Sequence, residues 1–320
     1  MPGYGAGSAF FWRNFCGLAS SLKIYAVDWL GTGLSGRPAF TATSRHDTEA
    51  FFLDSMVKWR HQLGMTTKMV LVGHSLGGYL SACYALKYPE HVEHLILVCP
   101  AGVPKEPEDW QRKFLGGASQ LRSGMFKASM WAWESGITPQ AIIRSLGPWG
   151  AQLCDGYVSR RFAGDIPPHE VEWFKRYFYH QLAAQGSGEY ALRHLLSPGA
   201  WAHEPLQKRL RDLKVPVTFI YGKNDWMRPH HAVELCDELK KERQPKVSSD
   251  LHVSIIDEAG HFVFIDQPEL FNKALIDACS MHMDKGTEQK ASQAHAHAHA
   301  TDHTATSTTF EHWKEEPRET

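Results

Sequence analysis

The feature that most constrains this chain is the run Gly73-His-Ser-Leu-Gly-Gly78, which follows the apolar stretch MVLVG and precedes a helical pattern. A serine in this setting is typical of a nucleophile elbow, a strained strand-to-helix turn that exposes the hydroxyl. Side chains at Gly73 and Gly77 would obstruct the turn, and amides at the helix start favour developing negative charge. The pattern predicts a nucleophile at Ser75 in an elbow shared with Gly73, His74 and Gly77. The alternative is a glycine-rich turn that carries a surface serine.

A serine nucleophile needs a base, and the base needs a carboxylate to orient it. With this motif, the acid and then the histidine follow the serine along the chain. Asp225 comes just after the apolar pattern VPVTFIYG, and His261 follows the pattern LHVSII and the loop DEAG. The predicted catalytic residues are therefore Ser75, His261 and Asp225. Asp257 is a rival acid, and the simpler alternatives are an Asn-Asp turn and a loop histidine.

Two backbone N–H groups are expected to stabilise the oxyanion of such a reaction. One belongs to Leu76, the residue after the nucleophile, and the other comes from the first glycine-rich loop, where Tyr4 is the predicted donor. The strand that leads into the loop Gly3–Gly7 should lie beside the strand that ends at Gly73. The sequence leaves no room for that strand, so we expect the N-terminal strands to be missing and an upstream extension to improve solubility and activity.

Apolar runs alternate with helical patterns along most of the chain, which predicts a mostly parallel α/β sheet covered on both faces. The predicted strands are Lys23–Asp28, Met69–Gly73, Val92–Cys99, Val215–Tyr221 and Leu251–Ile256, and the predicted helices are Ser44–Leu63, Leu76–Tyr88 and those after Pro229 and Pro268. The alternation stops between Pro104 and Ala202. The expected organisation is core over 1–103, helical cap over 104–202, core over 203–284 and a disordered tail over 285–320.

Composition excludes several classes of function. The 34 Lys and Arg residues balance 35 Asp and Glu residues, so nothing indicates a basic surface for nucleic acid. The six cysteines are scattered without a Cys-x-x-Cys pair, which favours reduced, mostly buried thiols over disulfides or a zinc site. Neither a signal peptide nor a run of about 20 apolar residues is present. A soluble, cytoplasmic protein is expected.

These motifs together resemble the abhydrolase-domain-containing 4/5 subfamily of α/β-hydrolases, over Gly3 to about Asp284. The resemblance rests on GYGAGSAFFWRNF, on GGY after the nucleophile, on GPWG at 147–150, on IYGKNDWM and on HFVFID at 261–266. Members include a lipid-droplet lipase co-activator, an N-acyl phospholipid lipase and plant 1-acylglycerol-3-phosphate acyltransferases with lipase activity. The co-activator lacks the nucleophilic serine that this chain retains, so the resemblance implies catalysis.

The resemblance implies a serine-dependent lipid acyl hydrolase or acyltransferase that uses (lyso)phospholipids or acylglycerols through an acyl-Ser75 intermediate. No cofactor or metal is implied, and acyl-CoA is a candidate co-substrate for transfer. The implied location is peripheral, on membranes or lipid droplets, with a lipase or a droplet protein as a candidate partner. Two alternatives stay open, a non-catalytic lipid-surface scaffold that regulates a separate lipase and a small-molecule carboxylesterase.

The resemblance also identifies His261 and Asp266 as an acyltransferase motif. The residues themselves favour a second interpretation, because Asp266-Gln-Pro-Glu269 has the arrangement of a helix N-cap and capping box. We expect Asp266 to cap the last helix and to hold the loop of His261. In the cap, most aromatic residues are expected to pack against the core, and a minority at the rim to meet lipid.

Overall fold

Strands and helices alternate along most of the chain in the computed structural model, which describes residues 1–116, 119–162, 164–242 and 251–281. The strands are β1 (Met69–His74), β2 (Val92–Val98), β3 (Leu196–Ser197), β4 (Trp201–Ala202), β5 (Val217–Gly222) and β6 (Leu251–Ile256). A parallel sheet runs in the order β1-β2-β5-β6. The predicted α/β architecture is therefore confirmed.

The helices follow the predicted positions closely in the core. Ser44 caps the helix that was expected over Ser44–Leu63, since its side chain accepts a 3.1 Å hydrogen bond from the Asp47 amide. The α-helices before β6 are α1 (Trp12–Ala19), α2 (Arg45–Gln62), α3 (Leu76–Lys87), α4 (Trp110–Leu115), α5 (Gln120–Glu134), α6 (Pro139–Ser145), α7 (Pro148–Arg161), α8 (Pro168–Ala183), α9 (Leu192–Leu195), α10 (Leu206–Arg209) and α11 (His230–Glu242). A short helix over Val263–Asp266 and a helix over 268–281 follow β6.

The register of the sheet brings the carboxyl ends of its strands to one edge. Gly73 pairs with Leu97 of β2, and Gly222 at the end of β5 pairs with Ile256 at the end of β6. The apolar side chains of β2 are fully buried, as are most residues of α3 that pack against it. Burial on this scale fixes the strand ends rigidly, and the loops that follow them form the candidate site.

The predicted strand at Lys23–Asp28 is wrong. This segment has no strand, and the side chains of Ile24 and Tyr25 are exposed. An apolar run becomes a strand only when a neighbour accepts and donates its backbone hydrogen bonds. Beside β1, where the strand leading into the Gly3–Gly7 loop was predicted, Met1 donates to the Val72 carbonyl and accepts from the His74 amide.

The cap consists mainly of helices, as its composition indicates. Helices α4 to α8 lie between β2 and β3, and they belong with the core to one compact unit over Met1–Cys279. The cap region also contains the antiparallel pair of β3 and β4, partly buried, although no buried β run was expected there. Strands of two residues are too short to show a periodic pattern. The predicted disordered tail over 285–320 lies outside the described residues.

Candidate active site

Ser75 occupies the turn between β1 and α3 in a left-handed backbone conformation, with φ 54° and ψ −122°. Non-glycine residues rarely adopt this conformation, and it persists only where the surroundings enforce it. Here the Ser75 amide donates to the carbonyl of Val98 at 3.0 Å, and the Ser75 carbonyl accepts from Gly78 and Ala101 at 3.0 Å each. The turn therefore fixes the serine at the carboxyl edge of the sheet and at the start of a 12-residue helix.

Gly73 and Gly77 are required because neighbouring backbone atoms leave no space for a side chain at either position. A Cβ at Gly73 would lie 2.8 Å from the carbonyl carbon of Gly77, and one at Gly77 would lie 2.8 Å from the carbonyl oxygen of Met1. Neither backbone group can move away as a flexible side chain could. The structure thus gives the physical reason for the glycine pattern around Ser75.

His261 and Asp225 form a hydrogen-bonded pair next to this turn. The distance from His261 Nδ1 to Asp225 Oδ1 is 2.9 Å, and their side chains are 10% and 0% exposed. A carboxylate can only accept, so Nδ1 carries the proton and Nε2 is free to accept one. The rival acid Asp257 is 73% exposed and pairs with Lys223 at 2.7 Å, so it does not contact His261.

Ser75 is connected to His261 through the residue that precedes it. His74 Nε2 lies 2.9 Å from the His261 carbonyl oxygen, and the two imidazole rings are 4.7 Å apart. Burial lowers the pKa of His74 well below its usual value, so this ring is neutral and donates from Nε2. Within the described residues, the Ser75 hydroxyl makes no hydrogen bond to His261. The sequence indicated His74 only as part of the elbow, and its contact with His261 carried no local signal.

The two segments that carry the predicted oxyanion donors both adjoin Ser75. Leu76 supplies the first amide of α3, a position where helices leave N–H groups without an internal partner. Gly3, next to Tyr4, packs directly on the serine, because a Cβ at Gly3 would lie 2.7 Å from Ser75 Cβ. The Tyr4 hydroxyl donates to Gln140 of the cap at 2.7 Å, which ties this loop to α6. The loop is therefore held between the elbow and the cap.

Asp266 does not cap the last helix, so that expectation is wrong. Its carboxylate accepts a 2.8 Å hydrogen bond from the Gly260 amide and two of 3.3 Å from Arg161 of α7. The helix over 268–281 begins after Gln267 instead. The second half of the expectation is confirmed, since this contact holds the loop that carries His261.

Cys99 is a neighbour of the pair that the sequence did not predict. It follows β2 in a left-handed conformation with φ 45°, and it is fully buried. Burial, with the nearby Asp225 carboxylate as a further cause, raises the pKa of this thiol well above its usual range. The thiol is therefore protonated and a poor nucleophile. Like the other five cysteines it is free, as expected, and only Cys16 is exposed.

An open pocket of about 490 Å³ adjoins His261 between the cap and the core. One wall comes from α7 and the loop after it, and the other from the loops after β5 and β6. It is lined by Tyr157, Arg161, Asp165, Asn224, Trp226, Glu258, Gly260, His261, Phe262 and Asp266. Aromatic and charged groups thus share the space next to the histidine, as in sites for amphipathic ligands.

A protein-family model, that of the alpha/beta hydrolase fold, matches residues 1–268 of this chain. This chain belongs to the alpha/beta hydrolase family. A solved esterase from Thermogutta terrifontis has the same fold, with a TM-score of 0.60 at 19% identity and coverage of 88% of both chains. No helix among the described residues has the length and apolar character needed to span a bilayer.

The relatives of this chain confirm the resemblance to the 4/5 subfamily. It is 42% identical over 287 residues to the 1-acylglycerol-3-phosphate O-acyltransferase of Arabidopsis thaliana, covering 87% of this chain and 65% of that one. It is 33% identical to the (lyso)-N-acylphosphatidylethanolamine lipase of Mus musculus, covering 88% and 78%. It is 32% identical to human 1-acylglycerol-3-phosphate O-acyltransferase ABHD5, covering 87% and 76%. The chain thus spans slightly less than two thirds of the plant relative.

Proposed function

We propose that this hydrolase is a serine-dependent lipid acyl hydrolase and acyltransferase that works through an acyl-Ser75 intermediate. The observation that carries the proposal is the 2.9 Å hydrogen bond between His261 Nδ1 and Asp225 Oδ1, beside the strained turn of Ser75. That bond leaves the His261 Nε2 lone pair available as a base. In the substrate complex the Ser75 hydroxyl has to come within hydrogen-bond reach of Nε2, since such contacts are often long in free enzymes.

In the first half of the reaction, Ser75 Oγ attacks the carbonyl carbon of an acyl ester while His261 Nε2 takes the hydroxyl proton. The negative charge that develops on the carbonyl oxygen is stabilised by the Leu76 and Tyr4 amides. His261 then gives the proton to the departing alcohol, and Asp225 stabilises the transient imidazolium. The products of this half are the free alcohol and acyl-Ser75.

In the second half, a hydroxyl compound attacks the acyl-Ser75 carbonyl and His261 again takes and returns the proton. Water as the acceptor gives hydrolysis, and a lysophospholipid such as lysophosphatidic acid gives transfer. The names of the plant and mammalian relatives, acyltransferase and lipase, support both outcomes. The same names favour (lyso)phospholipids or acylglycerols as substrates.

Labelling with a fluorophosphonate tests the nucleophile directly. We expect covalent labelling of the full chain at Ser75 and loss of labelling in Ser75→Ala. Lipid profiling of a reaction supplied with lysophosphatidic acid and either phospholipid or acyl-CoA then measures transfer against hydrolysis. A chain that is folded but neither labelled nor able to cleave lipid esters would contradict the proposal and favour a non-catalytic scaffold.

We also propose that the cap contacts a lipid surface peripherally. Three cap helices carry tryptophans that are largely exposed: Trp131 in α5 at 64%, Trp149 in α7 at 68% and Trp173 in α8 at 70%. Tryptophan favours the boundary between water and acyl chains. We expect the triple alanine variant to sediment less with phospholipid vesicles. Leu34→Ala, which removes an exposed apolar side chain outside the cap, is the matched control and should bind as the wild type does.

A further inference from the structure

The loop that carries Tyr4 contains a tight turn over Gly3–Ala6. The Gly3 carbonyl accepts a hydrogen bond from the Ala6 amide at 3.3 Å, and Gly5 has a φ of 66°. Glycine adopts a positive φ at the third position of a turn without steric cost. A single bond of this length is a weak internal constraint. Contacts from outside the turn therefore have to fix the direction of the Tyr4 amide.

Two buried glutamines of the cap supply such contacts. Gln140 of α6 accepts the Tyr4 hydroxyl at 2.7 Å, and Gln181 of α8 donates from Nε2 to the Gly5 carbonyl at 2.6 Å. Both glutamines are buried, so the loss of either bond leaves a polar group of the turn unpaired away from water. The cap thus holds the turn at two successive residues, Tyr4 and Gly5.

The two helices that carry these glutamines are joined by a buried ion pair. Glu189 accepts from Arg144 of α6 at 2.6 and 3.0 Å, and from the Thr138 hydroxyl at the start of α6 at 2.6 Å. Arg144 also donates to the carbonyl of Ala184, the residue after α8, at 3.1 Å. The helices α6 and α8 therefore support the turn as one unit.

Little free space separates the turn from this support. The cavity lined by Tyr4, Gly5, Gln140 and Gln181 has a volume of about 20 Å³. A cavity of this size holds about one water molecule. The turn therefore cannot shift toward the cap, and a shift away from the cap breaks the bonds to both glutamines.

We propose that Gln140 and Gln181 are positioning residues that hold the Tyr4 amide in place as an oxyanion donor. This inference rests on the proposed function, because it concerns the rate of acyl transfer at Ser75. An oxyanion donor acts only at hydrogen-bond distance from the developing charge, and a misplacement of about 1 Å costs up to about 10²-fold in rate. The interaction is made in the transition state alone, so its loss lowers kcat and leaves KM unchanged.

Gln181→Leu tests the bond to the Gly5 carbonyl, because leucine keeps a similar size and removes the donor. We expect kcat for a chromogenic ester to fall by about 10- to 100-fold with KM unchanged. Glu170→Leu is the matched control, since Glu170 lies on the same helix and accepts a 2.7 Å hydrogen bond from Trp12 of the core. The control loses one bond between cap and core and should keep the wild-type kcat. A folded Gln181→Leu protein with wild-type kcat, or equal losses in both variants, overturns the role of Gln181.

A double-mutant cycle tests the bond between Tyr4 and Gln140. Tyr4→Phe keeps the backbone amide and removes only the hydroxyl, whereas Gln140→Leu removes the acceptor. Because either substitution breaks the same bond, we expect each to lower kcat and the double variant to be no slower than the slower single variant. Wild-type kcat in both single variants, or losses that multiply in the double variant, overturns the role of Gln140.

A trifluoromethyl ketone with an acyl chain separates positioning from folding. Ser75 Oγ adds to its carbonyl carbon, His261 takes the hydroxyl proton, and the resulting oxyanion requires the same donors as the reaction. We expect the inhibition constant to rise across these variants by the factor by which kcat/KM falls. A smaller fraction of folded enzyme would lower kcat without changing the inhibition constant, and that result overturns the positioning role alone. A wild-type chain without Ser75-dependent turnover would refute the proposed function, and the positioning role with it.

Discussion

The Asp266 carboxylate accepts a 2.8 Å hydrogen bond from the backbone amide of Gly260, the residue immediately before His261. The same carboxylate pairs with Arg161, the last residue of cap helix α7, at 3.3 Å. The guanidinium of Arg161 also lies over the ring of Phe262, 5.1 Å from its centre. One arginine from the cap therefore contacts Phe262 directly and Gly260 through the Asp266 carboxylate, so α7 is coupled to the loop on both sides of the histidine.

Asp266→Asn should lower the stability by about 1–2 kcal/mol while leaving hydrolysis and transfer in their wild-type proportion. Asparagine keeps one oxygen that can accept from Gly260 but loses the charge that pairs with Arg161. The free energy of unfolding from urea titration gives the first quantity. Rates of ester hydrolysis and of transfer to lysophosphatidic acid, measured on one preparation, give the second.

Arg161→Gln removes the same ionic pair from the cap side, together with the Arg161–Asp165 pair at 3.3 Å. It should lose at least as much stability as Asp266→Asn and keep the proportion of the two rates unchanged. A variant of Asp266 that loses transfer selectively while hydrolysis continues would contradict a positioning role. That result would instead support a direct part for Asp266 in acyl transfer.

Ser75→Ala should abolish acyl-ester turnover and leave the fold intact. The substitution removes one hydroxyl and keeps the Cβ, so the strained turn and its backbone hydrogen bonds are unchanged. Removal of a triad nucleophile costs about 10⁴–10⁶ in rate. Hydrolysis of a chromogenic ester and a thermal melt measure the two effects, and residual activity above about 1% would refute Ser75 as the nucleophile.

Asp225→Asn should reduce kcat about 10⁴-fold, because the amide carries no charge and no longer enforces the tautomer of the histidine. Asp257→Asn is the control, since Asp257 is exposed and pairs with Lys223 on the surface. We expect its kcat to match the wild type. The opposite ranking of the two variants would assign the acid to Asp257, against the observed hydrogen bond.

Local patterns predicted the parts of this molecule that are built from contiguous residues. The strands β1, β2, β5 and β6, the elbow at Ser75 and the order of Asp225 and His261 all have signals within about ten residues of sequence. Each signal follows from the period of a strand or from the sharpness of one turn. These elements lie in the structure close to where the pattern puts them.

The parts that were missed depend on partners distant in sequence. Asp266 precedes Gln-Pro-Glu and so has the local pattern of a helix cap. Its carboxylate instead pairs with Arg161, which lies 105 residues earlier in the sequence. The segment 23–28 has the composition of a strand, but no neighbour pairs with it in the described residues. Cys99 meets Asp225 only because β2 and β5 are adjacent. No local period encodes such contacts.

Gly3→Ala should lower kcat by about 10²–10³ with a smaller effect on folding. A Cβ at this position would lie 2.7 Å from Ser75 Cβ and 3.2 Å from the His74 carbonyl oxygen. Because hydrogen bonds to Val98 and Ala101 fix the backbone of Ser75, the Gly3 loop has to move away and takes the Tyr4 amide with it. Loss of one oxyanion donor lowers the rate by about 10²–10³-fold.

Gly36→Ala is the control, since a Cβ there would meet nothing within 4 Å, and its kcat should stay at the wild-type value. Ester hydrolysis and fluorophosphonate labelling rates measure the effect, and a Gly3→Ala protein with wild-type kcat would remove Tyr4 from the oxyanion site.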